Sequence, residues 1–168
     1  NSFTPVDQPR VSQLINRSNQ FNLTTRRYSE EEVAALEGDP ACACFAARLK
    51  DRFGDNGIIS IVICEDRGAE WYINTWLMSC RVLKRRVEEA MLDHIAEKAR
   101  EAGKTALTGH YIPTAKNAMV AEHYKGLGFK LSEEKAEGET LWRLDLTQRE
   151  PFAPPVAIVS GAGGQEAA

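Results

Sequence analysis

Residues 57–66 read GIISIVICED, and Ile58, Ile59, Ile61, Val62 and Ile63 run almost without a polar break. A half-exposed strand alternates apolar and polar residues, whereas this segment has no side to give to water and needs cover on both faces. The rest of the chain must therefore supply layers for two faces of a sheet. Asp55-Asn56-Gly57 is a strong turn signal separating this run from ACACFAARLKD, residues 41–51. EWYINTWLMSC follows the turn at Arg67-Gly68 as a further aromatic, apolar strand.

Helical patterns flank these strands. Asp7 is a good N-cap with Pro9 in the first turn, and Val11, Leu14 and Ile15 form one stripe. Ser29 and Glu32 have capping-box spacing ahead of Val33 and Leu36, and Gly38-Asp39-Pro40 closes that short helix. A long helix opens near Arg85, carries Val87, Met91, Leu92, Ile95 and Ala99, and ends at Gly103. TALTGHYI reads as a strand. Thr114 or Asn117 then caps a helix bearing Met119, Val120, His123, Tyr124 and Leu127, which stops at Gly126 or Gly128. Phe129–Leu131 and TLWRLDL make a final hairpin around Glu137-Gly138, and a short extended start lies near Ser2–Pro5. The resulting order, β-α-α-β-β-β-α-β-α-β-β, predicts an α/β (α+β) fold: a mixed, mostly antiparallel sheet with helices on both faces.

At 168 residues the chain has the size of one domain with a core of its own. Its 24 acidic and 21 basic residues leave a net charge of -3, which argues against a nucleic-acid coat. No apolar stretch approaches the roughly 20 residues of a membrane span and no signal peptide opens the chain, so a cytoplasmic location is expected. Cys42 and Cys44 stand two apart, while Cys64 and Cys80 stand alone; no zinc spacing is present, and buried reduced thiols without metal are expected. The start at Asn1 and the Pro/Gly/Ala-rich end from Pro151 onward predict a domain over residues 1–147 and a linker or tail over 148–168, cut from a longer polypeptide.

The strand–helix–strand ending in AEHYKGLGF, with Asn117, Ala121, Tyr124 and Gly128-Phe129 in order, resembles the second motif of the GNAT N-acetyltransferase fold. A closer resemblance is to the C-terminal GNAT-like region of FkbH-type proteins of polyketide biosynthesis. It is carried by NQFNLTTRRY (19–28), RFGDNGIIS (52–60), WLMSCR (76–81), VEEAML (87–92) and YIPTAKNA (111–118). The resemblance implies a haloacid-dehalogenase-type phosphotransfer domain in the same longer chain, an acyl carrier protein as partner, and an acyl-CoA or carrier-bound phosphopantetheine as cofactor. The D-x-D motif of that phosphotransfer domain is absent, since no two Asp residues here are spaced two apart.

In GNAT proteins the thioester arm lies where two central parallel strands part, with its pyrophosphate on the amides opening the long helix. The equivalent loop here is CRVLKRRVEEAML. Arg86 and Glu88 stand where glycine or a small residue is expected, so Arg81, Lys84, Arg85 and Arg86 are expected to meet phosphate through cationic side chains instead, with Val82 and Leu83 as cofactor-binding residues of the same loop. A solvated basic helix end accounts for the same residues.

By resemblance Tyr124 gives a proton to the departing thiolate, although a tyrosine packed at the core edge fits the pattern equally. Asn117 either hydrogen-bonds the arm or caps its helix. No carboxylate base is evident: Asn74 stands mid-strand and Glu70 only at the strand start, which leaves His110 and His123 as substitutes. Asn19, Asn22, Thr24 and Thr25 offer hydrogen bonds to an amide-rich arm or hydroxylated acyl group, and Arg26 and Arg27 offer charge to a phosphate or an acidic carrier. Cys80, at a strand end beside the cleft, lines the substrate or is structural. These residues predict an acyl or glyceryl transferase-like domain. The alternatives are a non-catalytic carrier-protein docking module and an amine N-acetyltransferase. The catalytic and thioester-binding readings require an open slot beside Tyr124.

Overall fold

The computed structural model describes residues 7–51, 54–79, 86–147 and 149–152. Two helices, α1 (Gln8–Arg17) and α2 (Glu30–Gly38), precede strands β1 (Cys42–Asp51), β2 (Gly54–Asp66) and β3 (Glu70–Met78). Helix α3 (Val87–Glu101), β4 (Ala106–Tyr111), the single turn α4 (His123–Gly126), β5 (Lys130–Glu134) and β6 (Thr140–Asp145) complete the described elements. The strands form one sheet in the order β1-β2-β3-β4-β6-β5. Every neighbouring pair is antiparallel except β3–β4.

The apolar run in β2 is covered twice, as its composition requires. Ile58, Ile61 and Ile63 meet Val11, Leu14, Ile15 and Val33 from α1 and α2. Ile59, Val62 and Cys64 join the opposite core with Met91, Leu92 and Ile95 of α3. Each such aliphatic side chain contributes about 1.5–3 kcal/mol on leaving water, so β2 anchors both layers. The Ser29–Glu32 capping box forms in full: Ser29 Oγ accepts from Glu32 N at 3.2 Å, and Ser29 N donates to the Glu32 carboxylate at 2.8 Å. The thiols of Cys42, Cys44 and Cys64 are unpaired, and burial pushes Cys44 up to about 12.

Three local expectations change. Asp7 does not cap α1 through its side chain; its carboxylate pairs with Arg48 at 2.5 Å, a charge-assisted bond that outcompetes a neutral amide. Asp55-Asn56-Gly57 is not the reversal between β1 and β2. The strands already face one another at Asp51↔Gly54, and one extra β2 residue is absorbed between Lys50↔Asp55 and Arg48↔Ile58, with Gly57 at φ +68°. The turn signal has become a bulge. Finally, the helix expected from Thr114 or Asn117 through Leu127 is a 3-10 turn at Ala118–Val120 followed by α4. Thr114 Oγ1 accepts from the Lys116 and Asn117 amides at 3.2 Å, Asn117 turns its side chain inward, and Met119 is left half-exposed. The strand expected near residues 2–5 lies outside the described residues. Arg149 and Phe152 lie against α3 through Asp93.

Candidate active site

The parallel strands β3 and β4 pair at Glu70↔Ala106, Trp71↔Leu107, Tyr72↔Thr108 and Ile73↔Gly109, and no further. On its other edge β3 carries one extra residue, Asn74, between the Cys64↔Ile73 and Ile63↔Thr75 pairs. A bulge bends and twists its strand, so β3 leaves β4 at Asn74. The two central strands therefore part where a GNAT fold requires it.

The gap is not open, which corrects the expectation of a free slot. Residues 21–23, from the segment between α1 and α2, bridge it. Leu23 N donates to Trp76 O at 3.0 Å, Met78 N donates to Phe21 O at 3.0 Å, and Ile112 N donates to Leu23 O at 2.8 Å. The bridging backbone thus satisfies amides and carbonyls that the parting of the strands would leave bare.

Asn117 holds this bridge. Its Nδ2 donates to Asn22 O at 3.0 Å and to Ile112 O at 2.9 Å, while its Oδ1 accepts from Thr114 N at 2.7 Å. The side chain is fully buried, so it neither caps the following turn nor faces a cleft. Asn22 is equally occupied, accepting from Thr25 N at 2.8 Å and donating to Ser18 O at 3.2 Å. Thr24 Oγ1 donates to Asn74 O at 2.9 Å. Thr25 takes a left-handed backbone, φ +53°, and its hydroxyl is sealed without a partner. Asn19 accepts from Arg27, which also donates to Ser18 O at 3.0 Å and so closes the end of α1. The amide-rich segment is spent on itself and on the strands.

The Phe21 ring of the bridge joins a cluster with the rings of Trp76, His123 and Tyr124. His123 meets Trp76 edge-on at 4.5 Å and Phe21 at 5.1 Å, and Tyr124 lies 5.2 Å from His123. Trp76 Nε1, His123 Nε2 and the Tyr124 hydroxyl are all shut from solvent without a hydrogen-bond partner. The Tyr124 hydroxyl lies beside the His110 backbone without reaching bonding geometry. Burial pushes His123 down to about 3 and Tyr124 well above the usual phenol range. Gly109 is required here: a Cβ would come within 2.5 Å of Tyr124 Cε1.

The other face of the same strands carries a polar cluster. His110, next after the last β4 residue paired with β3, places Nε2 2.5 Å from Glu139 Oε1 and Nδ1 against the Tyr72 hydroxyl. A carboxylate only accepts, so Nε2 carries the proton and Nδ1 accepts from Tyr72. Arg26 Nη2 donates to the Tyr72 oxygen at 2.9 Å, and the Arg67 guanidinium lies 3.8 Å above the Tyr72 ring. Burial lowers the His110 pKa below 6.5, opposed by Glu139 and reinforced by Arg26. Burial raises Tyr72, opposed by Arg26 and Arg67. Asn74 Nδ2 donates to Glu65 at 3.1 Å, and the Tyr28 hydroxyl donates to Asn74 Oδ1 at 2.7 Å. Glu139, His110 and Tyr72 form a hydrogen-bonded chain ending at a phenol oxygen.

Sequence reasoning finds His110 but not its partners. Tyr72 shares a face with Asn74 two residues on, and Glu139 follows the Glu137-Gly138 turn; only the pairing of Tyr111 with Thr140 brings Glu139 to His110. Among the expected phosphate ligands, Arg81, Val82, Leu83, Lys84 and Arg85 lie outside the described residues, as does Cys80. Arg86 precedes α3 in a left-handed conformation, φ +58°, and folds back on Glu89 through Nε at 2.9 Å and Nη2 at 2.6 Å. Its guanidinium is therefore committed to its own helix. No group of His, Cys, Asp and Glu able to hold a metal occurs among the described residues, and no described helix is long and apolar enough to cross a membrane.

No protein-family profile and no curated protein sequence matches the chain. Solved structures do. The Escherichia coli ribosomal-protein-S18-alanine N-acetyltransferase superposes with a TM-score of 0.63 over 90% of this chain and 96% of its own, at 17% identity. The GNAT domain of the S. lividans protein PAT gives 0.66 over 86% and 88%, at 20% identity. An aminoglycoside 6'-N-acetyltransferase solved with coenzyme A gives 0.66 over 88% and 94%, at 12% identity. These likenesses agree with the strand order and the parting of β3 and β4: the chain has the GNAT fold.

Proposed function

We propose that this domain is a GNAT-type acyltransferase that takes its acyl group from a phosphopantetheine thioester, on CoA or on an acyl carrier protein. The observation that carries this reading is the parting of β3 and β4 at Asn74 with the Tyr72–His110–Glu139 hydrogen-bonded chain at its apex. In this reading Trp76 O, Met78 N and Ile112 N, which now hold the bridge, are the groups that would hold the arm's amides if residues 21–23 moved aside. The acceptor's nucleophilic atom bonds to the thioester carbon and the C–S bond breaks. The acceptor's proton passes to the Tyr72 oxygen as the Tyr72 proton moves to His110 Nδ1, and Glu139 stabilises the imidazolium. Tyr124, whose hydroxyl has no acceptor while the bridge is closed, would give its proton to the departing thiolate. When bound, the pantetheine group supplies the activated thioester.

The resemblance of five sequence blocks to FkbH-type proteins favours a glyceryl or related acyl group, a carrier protein as partner, an attached phosphotransfer domain and a cytoplasmic setting. The filled gap favours a second reading, a docking module that retains the fold without the chemistry. Amine N-acetylation is the activity named for the structural relatives and forms the third reading. Calorimetric titration of the chain with CoA, acetyl-CoA and a glyceryl-loaded carrier protein tests the first: heat is expected with at least one, and none with any of them ends it.

Tyr124→Phe separates transfer from docking. The change removes a buried hydroxyl that has no partner, so the folded state is expected to be as stable as before, or about 1 kcal/mol more so. Turnover is expected to fall about 10²- to 10⁴-fold if Tyr124 protonates the thiolate. Unchanged carrier handling with unchanged stability selects the docking reading.

A further inference from the structure

We propose that Arg26 recognises an oxyanion, a carboxylate or phosphate, on the small substrate that meets the Tyr72–His110–Glu139 relay. The inference rests on the acyltransfer reading and adds a substrate class to it. The carboxylates around the cluster already have partners: Glu139 pairs with His110, Glu65 with Arg67 at 3.0 Å and Asn74, and Glu70 with Thr108 and, at 3.7 Å, with Arg143. Arg26 alone in this group has no acidic partner among the described residues. Its single bond is to a neutral phenol oxygen, and its Nε is sealed from water with no acceptor.

Arg26 is half-buried with one nitrogen sealed and no counter-charge, and a substrate oxyanion at its open side supplies one. The fork of a guanidinium suits two oxygens of one carboxylate or phosphate. Its Nη2 lies one hydrogen bond from Tyr72, so a bound anion sits beside the relay, where both the acyl group and the acceptor meet. The substrate is therefore bifunctional, with a reacting atom at Tyr72 and a negative charge at Arg26. Simple alkyl amines and unsubstituted acyl chains lack the second feature.

Two matched pairs of probes locate the anion. Succinyl-CoA against butyryl-CoA places it on the acyl group, and serine against serinamide places it on the acceptor. Phosphoserine as acceptor compares phosphate with carboxylate. In one pair the anionic member is expected to be preferred at least about tenfold in binding or kcat/KM, the scale of one charge-assisted hydrogen bond. Arg26→Gln is expected to bring that ratio near one, and Arg26→Lys to restore part of it. Equal treatment of both members in both pairs, or a preference that survives Arg26→Gln, overturns the assignment. Titration of the ligand-free chain with inorganic phosphate gives a readout independent of any thioester. Chemical-shift changes at Tyr72 and His110 in the wild type, absent in Arg26→Gln, uphold the anion site even if no CoA thioester binds, while their absence in the wild type counts against it.

Discussion

Asn117→Ala is expected to lower the stability of the folded chain by about 3–5 kcal/mol, a large share of the roughly 5–15 kcal/mol that holds a domain together. Three backbone groups lose their partner at once: Asn22 O, Ile112 O and Thr114 N. Each buried polar group left unpaired costs about 1–3 kcal/mol, and the site is closed to the water that would repair it. Urea denaturation reads the effect as a midpoint lowered by about 1–3 M, taking the usual dependence of stability on denaturant for a domain of this size. Asn117→Asp keeps the acceptor toward Thr114 but loses both donors, so it is expected to be nearly as damaging. A midpoint within about 0.3 M of wild type for the alanine variant would show that the bridge is held by its own backbone bonds and not by this side chain.

His110→Ala is expected to reduce turnover about 10²- to 10⁴-fold, the range spanned by a positioned proton acceptor. The pH profile tests the role more sharply than the magnitude does. His110 accepts a proton only when neutral, and burial places its folded pKa below 6.5. Activity is therefore full above that value and is lost as pH falls through the lowered pKa, giving an acid limb with a midpoint below 6.5. Glu139 raises the His110 pKa, so Glu139→Gln is expected to shift the acid limb to still lower pH while slowing turnover at neutral pH. An acid limb unmoved in Glu139→Gln would show that His110 does not carry the proton.

Much of the architecture was legible in local patterns. The β2 run demanded two covering layers, the Ser29–Glu32 spacing gave α2 its start, and the stripe through Val87, Met91 and Ile95 gave α3 its buried face. Legibility failed where a side chain had a better partner far away in sequence. Asp7 reads as a cap until Arg48 is brought to it, and Asp55-Asn56-Gly57 reads as a reversal until the β1–β2 register absorbs it as a bulge. Asn117 was visible as a functional position, but one of its partners, Asn22, lies 95 residues away in the chain. The relay was hidden for the same reason: Tyr72 and Glu139 reach His110 only through β3–β4 and β4–β6 pairing, which no local period encodes. The bridging role of residues 21–23 was hidden too, because Asn19, Asn22, Thr24 and Thr25 read as side-chain donors and acceptors whereas the bridge is made by backbone groups.

That bridge makes the domain its own competing ligand. Any guest that wants the free edges of β3 and β4 must first evict Phe21, Asn22 and Leu23, and measured affinity then reports the difference between two occupants. For every 1.4 kcal/mol by which the resident segment is preferred, the guest appears about tenfold weaker than its own contacts warrant. A carrier protein that loosens the α1–α2 connection as it docks would lift that handicap for its own prosthetic arm alone, while free CoA would still meet an occupied seat.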